Sequence, residues 1–481
     1  MSKFIKPQII LRIALKIKLY LILVFSFFQG YGQNTSKHNI LFIAIDDMRP
    51  YLASYGSTQL KTPHLDKLAS ESIQFENAYC NIAVCGASRA SIMTGVRPNQ
   101  KRFAKYYSTA SKDLPGAVSL QGLFKKNGYT TVSYGKIYHN PSDFQEDWSE
   151  LDDTHEQFDY QSVASLEIIK TLPKGRVKGP AFEVADVSDE TYSDGITTKK
   201  AIKRLKKFKK SKKPFFLAVG YVSPHLPFIQ PKKYWDMYSE KDIKLADNPF
   251  QPKNSPKQAV HNSPELRGMY TGIPKQGPLP LTLAKNLVHG YYASVSYTDA
   301  LIGKLICTLE DLGLRENTTI ILWGDHGFFL GEHGMWTKHS TLKEAIHVPL
   351  LVSSPGVTPA KTKAMTEYVD IYPSLCELAG VKAPSYLHGT SFVPVLKNPT
   401  SQVKNEIYTR YARGEAVLDA DFSYTEFVNK NGVPGACMLF DMLKDPNQNT
   451  DVSKRPTYKD IVKKYRNKLK KMRTEMDNDP F

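Results

Sequence analysis

Two pairs of ionisable residues each follow an apolar, β-branched run. Asp46 and Asp47 come directly after "NILFIAI" (39–45), and Asp325 and His326 lie within "TTIILWGDHG" (318–327). Adjacent carboxylates repel one another unless a cation or basic group neutralises them. Three carboxylates in one place favour a hard divalent cation with oxygen ligands, and Ca2+ tolerates irregular coordination better than Mg2+. Taken alone, each pair reads equally well as a cap or a turn. Together, after two strong apolar runs, they read as a site.

Basic groups recur in similar positions: Arg89, then Lys136 and His139 of "YGKIYH", His225 in "SPHLPF", and Lys338 and His339 in "MWTKHS". A pocket with a cation on one side and Lys, His and Arg on the other suits a tetrahedral oxyanion, sulfate or phosphate. Cys85, in "AVCGASRASIMTG" (83–95), could be a buried thiol, half of a disulfide, a metal ligand or a nucleophile. The chain has five cysteines, at 80, 85, 307, 376 and 437. For an exported chain that number leaves at least one without an intramolecular disulfide partner, and the lack of any C-x-x-C pair argues against zinc ribbons and thioredoxin-like redox chemistry.

The elements that must position these groups alternate between strand and helix. Strands are expected at 39–45, 131–134, 214–224, 318–327 and 348–356, on composition and length. Helical patterns separate them: "VSLQGLFKKNG" with Gly128 as its C-cap, 281–312, and "DIYPSLCELAG" (370–380) closing the main domain. This alternation implies an α/β fold with a large, mostly parallel sheet between helices. Ligands in such sheets gather where loops leave the carboxyl ends of the strands. Residues 226–285, rich in Pro, Lys and Asn, read as a long surface excursion rimming the site. Beyond a linker at 396–402, "EIYTRYA", "SYTEFVN", "CMLFDML" and a basic helix imply a small C-terminal α+β subdomain. The divisions are therefore 1–32, 33–398 and 399–481.

The first 32 residues place five cations ahead of, and none within, the apolar run "LYLILVFSFF" (19–28), followed by "QGYGQ". This is the pattern of a secretory signal peptide cleaved near Gly32, with an apolar run too short to span a bilayer comfortably. No cysteine stands at the cleavage point, which speaks against a lipid anchor. A secreted or periplasmic chain without stable membrane insertion is expected. Removing five cations and no anions lowers the net charge from +17 to +12, which suits a polyanionic partner: nucleic acid, anionic membrane, or a sulfated or carboxylated glycan. The run "KKAIKRLKKFKKSKK" (199–213) carries Ile202, Leu205 and Phe208 on one stripe, so most of its lysines face water.

"VCGASRASIMTG" resembles the sulfatase signature C-x-P/A-S-R followed by x-x-x-x-T-G. The resemblance is collinear along residues 38–455. "NILFIAIDDMRP" is similar to the opening strand with its metal aspartates, and "ILWGDHGFFLGEHGMWTKHS" to the second metal motif with its sulfate-binding lysine. "EYVDIYPSLCELAG" and "LHGTSFVPVL" resemble the close of the catalytic domain, and "MLFDMLKDPNQNTDVS" a worn C-terminal element. "DDMRPYLASYG", "AVCGASR", "GKIYHN" and "PFFLAVGYVSPHLPF" look most like the iduronate-2-sulfatase branch.

The resemblance implies the alkaline-phosphatase-like sulfatase fold and a secreted hydrolase that removes a 2-O-sulfate from a uronic acid of a sulfated glycan. It implies that Cys85 is oxidised to formylglycine, and that Asp46, Asp47, Asp325 and His326 bind one Ca2+ together with residue 85. It further implies that Arg89 and Lys136 hold the nucleophile, that His139 assists its deprotonation, and that His225 and Lys338 contact the sulfate and leaving oxygen, with His225 as general acid. His339 adjoins Lys338, and Arg49 with Tyr106 or Tyr107 would touch the sugar. Ala87 stands where proline is commonest, which points to a radical-type maturation enzyme rather than an oxygen-dependent one. Nucleic acid is not an expected partner. Two other readings remain: a phosphatase or phosphonate hydrolase of the same superfold, and a glycan-binding pseudoenzyme.

Overall fold

The structure, a computed structural model, describes residues 37–152, 160–173, 175, 177–211 and 213–479. The expected signal peptide lies outside the described residues. From His38 onward the described residues form one compact unit. Among them no helix is long and apolar enough to cross a membrane.

Eight strands build the main sheet: β1 (Asn39–Ile45), β2 (Ile73–Tyr79), β3 (Thr130–Gly135), β4 (Glu150–Asp152), β5 (Phe215–Tyr221), β6 (Thr318–Gly324), β7 (Leu350–Ser353) and β8 (Ala360–Glu367). Their order across the sheet is β8-β2-β7-β6-β1-β5-β3-β4. Only β7 runs against the rest, antiparallel to both β2 and β6. β1 lies at the centre, parallel to β5 on one side and β6 on the other.

Every residue of β1 is buried, as expected of a parallel strand covered on both faces. Its side chains alternate between two cores. Ile40, Phe42 and Ala44 pack with Ala87, Ala90 and Met93 of α1 (Cys85–Thr94), Leu120 and Phe124 of α2 (Leu120–Lys126), and Ile371 and Leu375 of α6 (Ile371–Leu378). Leu41, Ile43 and Ile45 pack with Ala201, Leu205 and Phe208 of α3 (Ser193–Phe208), and with Leu287, Tyr291 and Val295 of α5 (Leu281–Asp311). Each large side chain buried this way contributes roughly 1.5–3 kcal/mol. The centre of the sheet is thereby fixed on both faces, and its carboxyl edge can carry charge.

The segment 226–285 is more than a surface excursion. Phe228–Pro231 pairs as a strand with Phe182–Ala185, and α4 (Pro264–Met269) is pinned by the buried Leu266. These short apolar anchors are spaced too widely to register as an element in a Pro- and Lys-rich stretch. The C-terminal region forms an antiparallel meander of β9 (Ile407–Tyr411), β10 (Gly414–Leu418), β11 (Phe422–Val428) and β12 (Pro434–Asp441). The basic helix α7 (Lys459–Asp477) packs Val462, Tyr465 and Leu469 against Tyr408, Tyr424 and Leu439 of that sheet. All five cysteines are free thiols.

Candidate active site

The charged groups converge because four neighbouring parallel strands end at one edge. Asp46 and Asp47 follow β1, Asp325 and His326 follow β6, Lys136 follows β3, and the loop to His225 follows β5. The loop after β5 is held by Asp194 of α3, whose carboxylate accepts from the backbone N–H groups of Val222 and Ser223, each at 2.8 Å. Facing this edge is the first turn of α1, with Cys85 as its first residue. Ser88 of the same turn donates to the Asp325 carbonyl at 2.6 Å.

Asp46, Asp47, Lys136, Asp325 and His326 are fully buried, Arg89 likewise, and Cys85 is 4% exposed. Arg89 Nε donates to Asp325 Oδ2 at 2.8 Å, and its Nη2 lies 3.4 Å from Asp46 Oδ1. Lys136 donates to the other oxygen of Asp46. Burial alone would raise Asp46, but Lys136 and Arg89 hold it well below the usual carboxylate range. Lys338 Nζ lies 3.0 and 3.1 Å from the two oxygens of Asp47 and 3.0 Å from Glu265 Oε1.

Cys85 Sγ is 3.2 Å from His326 Nε2, whose Nδ1 lies 3.4 Å from Asp47 Oδ1. One ligand atom each from Asp46, Asp47, Cys85 and His326 falls within 4.8 Å of the others. Asp325 is turned slightly aside: Oδ2 accepts from Arg89, and Oδ1 accepts from the N–H groups of Asp47 and His326 at 3.1 and 3.0 Å. Burial pushes Asp47 up to about 7 despite Lys338, with Asp46 and Glu265 adding repulsion. Two buried carboxylates and an imidazole gathered beside the Cys85 sulfur are a donor set that fits a divalent cation.

His225 Nε2 lies 3.1 Å from Glu265 Oε1 and 3.8 Å from Asp47 Oδ2, and its Nδ1 faces the Leu226 carbonyl. Burial and the Lys338 ammonium push His225 below its ordinary value. Burial would raise Glu265, but Lys338 and His225 hold it well below the carboxylate range. His139 stands at the edge of the network. Burial and Lys136 push it down to about 3, its buried Nδ1 has no hydrogen-bond partner among the described residues, and its ring meets Tyr106 edge-on at 6.0 Å.

Glu265 is the site residue that the sequence did not disclose. It sits on the six-residue helix α4 with no strand before it and no spacing that ties it to the motifs. Lys178 is a second: half-buried and pushed down to about 8 by burial, it interacts electrostatically with Glu265, Lys136 and Lys338. Arg49 is engaged elsewhere. Its Nη1 donates to Glu332 at 2.8 Å and to the Phe328 carbonyl at 3.1 Å. Tyr106 and Tyr107 are 61% and 55% exposed, at the rim.

Gly86 shows how tightly the helix that begins at Cys85 is seated. A Cβ there would lie 1.8 Å from the Tyr106 carbonyl oxygen and 2.7 Å from its carbon, both backbone atoms. Gly86→Ala is therefore expected to cost about 1–3 kcal/mol and to lower turnover by displacing Cys85. Thermal unfolding and steady-state kinetics check this, with Gly268→Ala as control, because nothing lies within 4 Å of a Cβ at that position.

Comparison with known proteins places this geometry. The sulfatase family profile matches residues 38–381, and the profile for the C-terminal part of N-sulphoglucosamine sulphohydrolase matches residues 331–475. Human iduronate 2-sulfatase is 34% identical over 396 residues, covering 73% of this chain and 71% of that protein. The solved structure of BT4656 with its substrate D-glucosamine-2-N,6-O-disulfate superposes with a TM-score of 0.74 at 23% identity, covering 92% of this chain and 99% of the other. The phosphonate monoester hydrolase of Silicibacter pomeroyi gives 0.74 at 20% identity, covering 91% and 95%. These structural likenesses show a shared fold.

Proposed function

The chain belongs to the sulfatase family and is a sulfuric ester hydrolase, and from that premise we propose that it removes the 2-O-sulfate from a terminal uronic acid of a sulfated glycan, outside the cytoplasm. In this reading Cys85 is matured to formylglycine by a radical-type enzyme, and one Ca2+ is held by Asp46, Asp47, His326 and residue 85, with Asp325 behind them. The observation that carries it is the gathering of four ligand atoms within 4.8 Å at the first turn of α1. The identity to iduronate 2-sulfatase supports the uronate substrate.

A bound divalent cation would draw charge off the sulfuryl oxygens, and a hydrated aldehyde at residue 85 would supply a hydroxyl nucleophile. The remaining tasks fall to this chain's own side chains. Arg89 and Lys136 neutralise Asp46 and Asp325, so that three buried carboxylates can stand at one edge. Lys338, between Asp47 and Glu265, presents an ammonium to the sulfate. His225 serves as general acid in its doubly protonated form: Nδ1–H faces the Leu226 carbonyl, the ionised Glu265 carboxylate accepts from Nε2–H, and Nε2 is the nitrogen that can hand a proton to the leaving oxygen. His139, kept neutral, would accept a hydrogen bond from the hydroxyl at residue 85 and so assist its deprotonation.

Two measurements test the reading. After treatment with a chelator, added Ca2+ should raise the unfolding temperature, reflecting about 2.7 kcal/mol when the ion stands at a hundred times its Kd. Asp47→Asn should abolish that rise, and the absence of any shift with Ca2+, Mg2+ or Mn2+ would remove the metal from the account. Sulfate release should be fastest from oligosaccharides ending in a 2-O-sulfated uronic acid. Faster cleavage of a phosphonate monoester would favour the other chemistry that this fold carries.

A further inference from the structure

A cavity opens beside the backbone of Lys338. It has a volume of about 500 Å³ and is walled by His261 and His339 from the catalytic side, and by Tyr411, Arg413, Phe427 and Asn429 from the C-terminal sheet. Its wall is joined to the reaction centre through Lys338. His261 Nε2 bonds the Lys338 carbonyl, the His261 and His339 rings are 6.1 Å apart, and His339 lies 5.2 Å from Tyr411. Tyr411 itself interacts electrostatically with Glu265 and Lys338.

Three features of this cavity are unexplained by folding. Arg413 stands in the turn between β9 and β10, exposed, and among the described residues its guanidinium has no hydrogen-bond or ion-pair partner. Arg410, three residues earlier, is by contrast buried and bonded to the carbonyls of Asn99 and Ala412. His339 Nδ1 is buried with no hydrogen-bond partner among the described residues, and His339 adopts a left-handed backbone with φ of 79°. A β-carbon residue in that region costs energy that something else must offset, and such strain concentrates at functional sites. A lone guanidinium, an unpartnered imidazole nitrogen and two aromatic rings around one cavity form a donor set for an anionic sugar: ring faces for the pyranose, nitrogen for a hydroxyl, and a planar fork for a carboxylate or sulfate.

We propose that this cavity is the sugar subsite, and that Arg413 selects the substrate by pairing with an anionic group of the glycan other than the sulfate being cleaved. The inference rests on the reading of the chain as a glycan sulfatase and adds to it the residue that reads the sugar. It also gives the C-terminal sheet a task, since both aromatic walls and the guanidinium come from that sheet.

The test compares wild type and Arg413→Ala on three substrates. One is a small aryl sulfate with no second anion, one a 2-O-sulfated uronic acid oligosaccharide, and one the same oligosaccharide with its carboxyl reduced to the alcohol. Losing a charge-assisted hydrogen bond should lower kcat/KM on the intact oligosaccharide about ten- to a hundredfold, mainly through KM, and leave the aryl sulfate within about twofold. If the partner is the carboxylate, carboxyl reduction penalises wild type by the same factor and the variant no further. If the partner is a second sulfate, both enzymes tolerate the reduction and the variant remains weak. Arg413 is exposed, so folding is not at stake. Equal kcat/KM of the two enzymes on an oligosaccharide that wild type cleaves overturns the subsite alone. Wild type cleaving aryl sulfate but no glycan overturns the glycan reading, and the subsite with it.

Discussion

Cys85→Ala should lose on the order of 10⁵–10⁶ in kcat, the size of effect seen when a nucleophile is deleted, while the fold survives. Only one sulfur atom is removed from a helix whose other contacts are made by Ala87, Ser88, Arg89 and Ala90, so the unfolding midpoint should stay within about 1 kcal/mol of wild type. The reason for so large a kinetic effect lies in the thiol's surroundings. Burial, with Asp46 close by, pushes the Cys85 thiol well above its ordinary value. An unmodified cysteine here is protonated at neutral pH and is a poor nucleophile. A site that gathers Asp46, Asp47, His326 and Arg89 around an inert thiol makes chemical sense if the residue is converted after synthesis. Mass spectrometry of the peptide holding residue 85 should therefore find an aldehyde in active protein. Cys85→Ser offers a hydroxyl of similar size in place of the sulfur, and it should be as inactive as alanine. Wild-type turnover by either variant, or an unmodified thiol in fully active protein, would remove residue 85 from the chemistry.

The parts of this site that local pattern alone places share one property: each follows a largely buried strand, whereas Cys85, Arg89 and Lys338 are legible only through their motifs. β1 and β6 are continuous apolar runs, so their ends were visible, and with them Asp46, Asp47, Asp325 and His326. Lys136 and His225 could be placed for the same reason. The strand read at 214–224 stops at Tyr221 because the next two N–H groups turn to Asp194, a tertiary contact that no local pattern announces. β8 was missed because an edge strand exposes Lys361 and Lys363 and so looks polar, and β7 gave no sign of running antiparallel. Glu265 comes from a six-residue helix in a Pro- and Lys-rich stretch, and only its contacts with His225 and Lys338 identify it. Arg49, which the resemblance assigns to the sugar, is bonded to Glu332, a partner that no local pattern announces.

Arg89→Met is the substitution expected to harm folding and activity together. The guanidinium is fully buried and joins four groups from three strand ends. Its Nε donates to Asp325 and its Nη2 reaches Asp46, while Nη1 donates to the carbonyls of Lys136 and Ile137. Its carbon lies 5.6 Å from the centre of the Trp323 ring, so the methionine stem would keep most of the packing. What it cannot keep is the charge. Asp325 would lose the guanidinium bonded to its Oδ2, and Asp46 one of its two cationic partners among the described residues, leaving buried carboxylates short of compensation. Breaking a buried ion pair in this way costs about 3–5 kcal/mol, to be read as a shifted urea midpoint against Arg455→Met, an exposed control expected within about 0.5 kcal/mol of wild type. Arg89→Lys should recover only part of the loss, because a single ammonium cannot span both carboxylates and both carbonyls as a planar fork does. Turnover should fall in both variants even at temperatures where they are folded, since Asp46 and Asp325 then no longer stand charged and fixed beside residue 85. An Arg89→Met protein as stable and active as wild type would mean that the strand ends are held together by something other than this guanidinium.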